Sequence, residues 1–181
     1  MDKLTQIALL LIQVISHFYI LIVMLRFLLQ LVRADFYNPL SQFIVKATNP
    51  LVIPLRKVIP GLFGIDIASL VLALVLQILA FLVISVIANG AMIPFAPLLI
   101  GSVFKLIELT LNIYFFSFII MVIISWIAPN THNPVMAVIS SLTEPVLSPI
   151  RKMIPAMGGL DFSVMIAMLG IFILKILFGF S

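Results

Sequence analysis

Two Arg-Lys pairs, Arg56-Lys57 and Arg151-Lys152, are each followed by an aspartate, Asp66 and Asp161, at the same distance. Adjacent cations on a short segment suit the phosphates of anionic lipid, where each charge is worth about 1 kcal/mol, or a surface that docks a protein partner. An aspartate directly before an apolar run can cap the first N–H groups of a helix and face the positive end of its dipole. It can equally pair with the arginine of its own segment, hold a cation or relay a proton, and on sequence these alternatives stay open. Other ionisable groups have simpler roles. Arg26 and Lys175 stand near the ends of apolar runs, from which long side chains can snorkel to the interface. Lys105 and Glu108 fall one helical turn apart and can pair. His17 could ligate haem, but the only other histidine, His132, lies in a connecting segment. The absence of cysteine removes disulfides, thiol nucleophiles and cysteine-ligated metal. With no phosphate-binding glycine loop, H-E-x-x-H or G-x-S-x-G either, neither enzyme activity nor a cofactor is expected.

The elements that must position these charges are membrane spans. Of the 181 residues 64% are hydrophobic and 9% charged, whereas a soluble domain carries about 25% charged residues. Too few charges remain to cover a water-facing surface, and several apolar runs reach the roughly 20 residues that cross a bilayer. Four spans are expected, at about 7–32, 67–87, 104–128 and 162–180. The connection after the first holds Arg33, Lys46, Arg56 and Lys57, and that after the third holds Arg151 and Lys152. Positive loops stay cytoplasmic, so both should face the cytoplasm, with the N- and C-termini outside. The net charge of +4 then describes one membrane face, and the expected partner is an anionic bilayer rather than nucleic acid.

The basic segment is also duplicated. Residues 49–66 and 144–161 share the pattern P-x3-P-x-R-K-x-I-P-x3-G-x-D at an offset of 95. Its fixed positions are Pro50, Pro54, Pro60 and Gly64 in the first copy and Pro145, Pro149, Pro155 and Gly159 in the second. The same offset relates Asn38-Pro39 to Asn133-Pro134 and the first two spans to the last two. The expected fold is all-α: four transmembrane helices arranged as two parallel helix–amphipathic segment–helix repeats, 1–90 and 91–181, with interfacial segments at 38–60 and 133–155. Asparagine then proline reads as an N-cap and first helical residue. Leu40, Phe43, Ile44 and Ala47, and likewise Val135, Val138, Ile139 and Leu142, form apolar faces that should lie in the headgroup region for about ten residues. The paired prolines should then break each helix. Gln6, Gln13 and His17 on one span, and Thr110, Tyr114, Ser117 and Ser125 on another, form polar stripes expected to face the bundle interior.

This duplicated element, with "DFYNP" at 35–39 and "PAMGGLDFS" at 155–163, resembles the YggT family of bacterial integral membrane proteins over nearly the whole chain, in the two-copy form. The first copy departs from the family at Gly61-Leu-Phe-Gly64, where the second has the more typical Ala156-Met-Gly-Gly159. The resemblance implies the bacterial inner membrane, and roles linked to osmotic-stress tolerance, ion homeostasis or envelope organisation. Relatives in chloroplasts are linked to cytochrome b6 haem attachment and nucleoid distribution. Two readings follow. In the first, the chain is a non-enzymatic scaffold or assembly factor whose Arg56, Lys57, Arg151 and Lys152 contact lipid or a membrane or cytoplasmic protein, and can be replaced without unfolding the bundle. In the second, it is a component of ion or small-solute transport that uses the polar stripes in a homo-oligomer.

Overall fold

The computed structural model describes residues 2–61, 64–127, 133–154 and 161–180. Six helices follow one another among them: α1 (Lys3–Leu31), α2 (Pro39–Val58), α3 (Ile67–Asn89), α4 (Phe95–Ile127), α5 (Pro134–Met153) and α6 (Ser163–Leu177). The protein is all-helical, and α1, α3 and α4 are long and apolar enough to cross a membrane. At 15 residues, α6 is shorter than the span expected at 162–180. At 1.5 Å per residue it covers about 22 Å of a hydrocarbon core roughly 30 Å thick.

Packing divides the chain into two compact units, Met1–Phe27 with Ile44–Leu109, and Leu28–Phe43 with Thr110–Ser181. These units follow contact, whereas a division at residues 90 and 91 follows sequence repetition. In the first unit Ile20, Val23, Met24, Val52, Leu72 and Ala73 are buried. In the second, Phe118 of α4, Leu147 of α5 and Val164, Ala167 and Ile171 of α6 make one apolar cluster.

α2 and α5 begin where their sequences say. Asn38 Oδ1 accepts from the Leu40 N–H at 2.9 Å and Asn133 Oδ1 from the Val135 N–H at 2.9 Å, with proline next in each case. The expected proline breaks do not occur. Both helices run 20 residues, straight through Pro50 and Pro54 or Pro145 and Pro149. All four prolines lie on the exposed face. Because they stand four apart, the carbonyls they deprive of a partner, those of Lys46, Pro50, Ser141 and Pro145, line one outward stripe rather than the core. The opposite stripe holds the helix down: Ile44, Thr48 and Val52 in α2 and Ile139, Thr143 and Leu147 in α5 are buried in matching register.

The polar stripe of α1 is a second difference. Gln6, Gln13 and His17 are exposed, and the half-buried line is Thr5, Leu9, Ile12, Ser16 and Tyr19, one position round the helix. On α4, Ser117 is buried and Ser125 exposed. Ser117 donates to its own helix at the Ile113 carbonyl, 2.7 Å away. A hydroxyl satisfied by the preceding turn needs no neighbouring helix, so polarity alone did not identify the packed face.

Candidate functional site

Between α2 and α3, Gly64 has φ +81°, a left-handed conformation that glycine adopts without a Cβ clash. Asp66 follows as the N-cap of α3. Its Oδ1 accepts from the Ser69 N–H at 3.3 Å, and its Oδ2 from the Ser69 hydroxyl at 2.5 Å. Arg56 grips the same carboxylate with two parallel bonds, Nε to Oδ1 at 3.2 Å and Nη2 to Oδ2 at 2.6 Å. Such bidentate pairs fix geometry as well as adding energy. Capping and pairing, alternatives on sequence, are here two uses of one carboxylate.

A third member comes from α1. Arg26 is only 4% exposed, so it does not snorkel. Its Nε lies 3.6 Å from Asp66 Oδ2, while Nη1 donates to Thr48 Oγ1 at 2.7 Å, Asn49 Oδ1 at 2.9 Å and the Val45 carbonyl at 3.3 Å. Removing a guanidinium from water and lipid phosphate is costly unless its donors are met. Here α2 supplies three acceptors to Nη1 and Asp66 faces Nε, and three segments of the chain are tied at one point.

The second motif repeats the plan with different charges. Asp161 Oδ2 accepts from Arg151 Nε at 2.9 Å. Its Oδ1 accepts from the Ser163 N–H at 3.0 Å and also from the Ser163 hydroxyl. Arg151 Nη1 reaches back along α5 to Glu144 Oε2 at 2.8 Å. No cation corresponds to Arg26: at the offset of 95 its place is taken by Met121 and that of Asn49 by Glu144. The Thr143 hydroxyl meets the Met121 sulfur at 3.6 Å, where Thr48 meets Arg26. This second group is more open, with Arg151 and Asp161 side chains each 39% exposed, against 1% for Asp66.

Burial by itself pushes the Asp66 carboxyl up. Hydrogen bonds from Arg56 and Ser69 and the Arg56 charge outweigh it, holding the group below the ordinary carboxylate range. Asp161 is likewise lowered: its burial acts upward, and Ser163 and Arg151 more than reverse it. Burial acts to lower Arg151, and its bonds to Asp161 and Glu144 raise it overall. These carboxylates are committed anions, suited to holding structure rather than to exchanging protons near neutrality.

Of the residues singled out by sequence, Arg56 with Asp66, and Arg151 with Asp161, are in contact. Lys57 and Lys152 are exposed. The four basic residues therefore divide into two arginines bound into the fold and two lysines turned outward. Pro50, Pro54, Pro145 and Pro149 lie within helices, and Pro60 follows α2. Pro155, Gly159 and His132 lie outside the described residues. Lys105 pairs with Glu108 at 2.9 Å, and Lys175 donates to Asn112 Oδ1 at 3.1 Å. Sequence reasoning missed Arg26, although an arginine inside an apolar span is a candidate for function by default. The signal was present in the offset alignment, where exchange of Arg26 for Met121 accompanies exchange of Asn49 for Glu144. Among the described residues, no group of three or more His, Asp or Glu side chains could hold a metal ion.

Comparison with known proteins agrees with the motif. The profile of the CCB3/YggT family matches residues 5–87 and 100–180, and each matched segment holds one copy of the motif. An uncharacterised protein of Pseudomonas aeruginosa is 47% identical over 171 residues, covering 94% of this chain and 87% of that one. One from Vibrio alginolyticus, described by its position in the proC 3′ region, is 42% identical over 170 residues, covering 93% and 91%. The uncharacterised protein YggT of Escherichia coli K12 is 36% identical over 166 residues, covering 91% and 85%. No solved structure matches the chain.

Proposed function

The chain belongs to the CCB3/YggT family, and from that premise we propose that it is a non-enzymatic scaffold or assembly factor of the bacterial inner membrane. In this reading α1, α3, α4 and α6 are its four spans, in two parallel repeats of residues 1–90 and 91–181. The ends of α2 and α5 lie at the cytoplasmic face, and the N- and C-termini lie outside. The outward lysines, Lys57 and Lys152, contact anionic headgroups or a membrane or cytoplasmic protein, while Arg56 and Arg151 hold the segments that present them. The observation that supports this most is the repeated division of labour: in both motifs the arginine pairs with the aspartate of its own motif and the adjoining lysine is exposed.

The test is proximity crosslinking in the native membrane with Lys57→Ala/Lys152→Ala beside the wild type. Loss of specific crosslinks from a protein that still inserts and folds is the expected result. Unchanged crosslinks, with a normal phenotype under osmotic stress, would remove the proposal. Liposomes reconstituted from the pure protein test the transport reading, and ion flux above empty vesicles would replace the scaffold with a pathway.

A further inference from the structure

The first unit carries a groove lined in part by smaller residues than those at the corresponding positions of the second. An apolar groove of about 190 Å³ runs between α1 and α3, lined by Ile12, Ser16 and Ile20 on one side and Leu76, Ala80 and Val83 on the other. At the offset of 95, Ser16, Ile20, Ala80 and Val83 correspond to Leu111, Phe115, Lys175 and Phe178, all larger. In the second unit Leu111 and Phe115 pack onto the cluster that contains Ile171. The Phe115 ring lies 6.5 Å from that of Phe172, and Lys175 reaches Asn112. The groove's few polar groups are turned away from it: the Ser16 hydroxyl donates to the Ile12 carbonyl at 2.6 Å and Tyr19 to the Ala47 carbonyl at 3.3 Å. What it offers is hydrocarbon.

Its depth relates it to the basic motif of the same unit. Ile20 and Ile12 lie six and fourteen residues along α1 from Arg26, or about 9 and 21 Å. Leu76 and Val83 lie about 15 and 26 Å beyond Asp66 along α3. The hydrocarbon core is about 30 Å thick, so the groove lies around its middle, at the depth of the far ends of acyl chains whose phosphates stand level with the motif. At that level, two arginines share the single Asp66 carboxylate, and Lys46 and Lys57 are exposed on α2. An excess of positive charge above an apolar groove matches one kind of occupant. We propose that the first unit binds one anionic phospholipid of the surrounding bilayer, its phosphate at Lys57 beside Arg56 and one acyl chain in the α1–α3 groove. This rests on the reading of the basic segments as lying at lipid phosphates and confines a specific site to one of the two.

Native mass spectrometry of the full-length protein in neutral detergent tests it, with phosphatidylglycerol and phosphatidylcholine of the same acyl chains as probes. One phosphatidylglycerol per chain should be retained in preference, by roughly fivefold for each cation engaged. Lys57→Ala should remove the preference and Lys152→Ala should leave it. Ser16→Leu, which copies Leu111, should cut retention without changing charge, and Ser16→Ala, which keeps the groove open, should preserve it; circular dichroism reports whether each variant is folded. Retention unaffected by Ser16→Leu while Lys57→Ala abolishes the preference would overturn the groove and leave the basic-segment reading standing. No preference for phosphatidylglycerol in the wild type would overturn both. A change in oligomeric mass with Ser16→Leu, without lipid loss, would assign the groove to a second copy of the chain and overturn the inference.

Discussion

The two copies of the motif form the same Arg–Asp bridge with opposite charge balance. In the first, two cations, Arg26 and Arg56, converge on one buried carboxylate. In the second, one cation, Arg151, is shared between two half-exposed carboxylates, Glu144 and Asp161. The exchange that separates them is concerted: where an arginine is present on the long helix, the residue before the first motif proline is neutral, and where methionine replaces it that residue is acidic. The difference teaches that the Arg–Asp bridge from the end of the amphipathic helix to the next apolar helix is the common device. Arg26 is an addition that binds the first copy to α1. A buried pair broken by loss of one partner is worth several kcal/mol, and an exposed one about 0–1.

The largest expected effect breaks the comparison at its strongest point. Asp66→Ala leaves Arg26 buried without an anion and should cost about 3–5 kcal/mol in reversible unfolding in detergent. Asp161→Ala should cost about 1 kcal/mol or less through its ion pair, plus the loss of its bonds to Ser163. Equal losses would mean that exposure does not distinguish the two copies. Next, Arg26→Met copies the second motif into the first and should destabilise by about 2 kcal/mol, less than loss of Asp66 because Arg56 still answers the carboxylate. Adding Asn49→Glu should restore part of this by supplying the anion that Arg151 has in Glu144. A coupling of at least about 0.5 kcal/mol in the double-mutant cycle is the expected readout, and strict additivity would count against a concerted exchange.

Acid sharpens the same contrast. Both Asp66 and Asp161 are held below the ordinary aspartate value. The stability they contribute is fully present above the unfolded-state value of about 3.9 and is lost as pH falls from there through the lower folded-state values. Melting temperature should therefore decline below about pH 4, and Asp66→Asn should flatten that decline more than Asp161→Asn. The smallest pair concerns the caps. Asn38→Ala and Asn133→Ala each lose an N-cap bond worth about 1 kcal/mol. Asn38 should cost more, because its Nδ2 also donates to the Pro134 carbonyl at 2.8 Å. Thermal melts of the two variants decide the order.

Much of the fold was legible because its signals are local. Asn-Pro marks a helix start by removing no useful N–H and supplying an acceptor, and both starts fall there. The apolar runs locate α1, α3 and α4 because hydrocarbon demands about 20 apolar residues in sequence. The prolines misled because the general rule prices a lost hydrogen bond, not the direction in which the orphaned carbonyl points. Pro50 and Pro54 become compatible with a continuous helix once Ile44, Thr48 and Val52 are packed on the opposite side. Gln6, Gln13 and His17 misled for a related reason, since a stripe of polar residues says that a face is distinct but not which neighbour it meets.

By itself the sequence determined that this chain lives in lipid, that its basic element is duplicated at an offset of 95, and that each copy carries an arginine, a lysine and an aspartate in fixed register. Those properties follow from composition and chain distance. Only the tertiary structure decided that the motif arginines pair with aspartates while the lysines stay exposed, that Asp66 serves as cap and counter-ion together, and that Arg26 joins it from a helix forty residues away. A charge in a thin, apolar chain has several places to go, and which one it takes depends on the partners that packing brings within hydrogen-bonding distance.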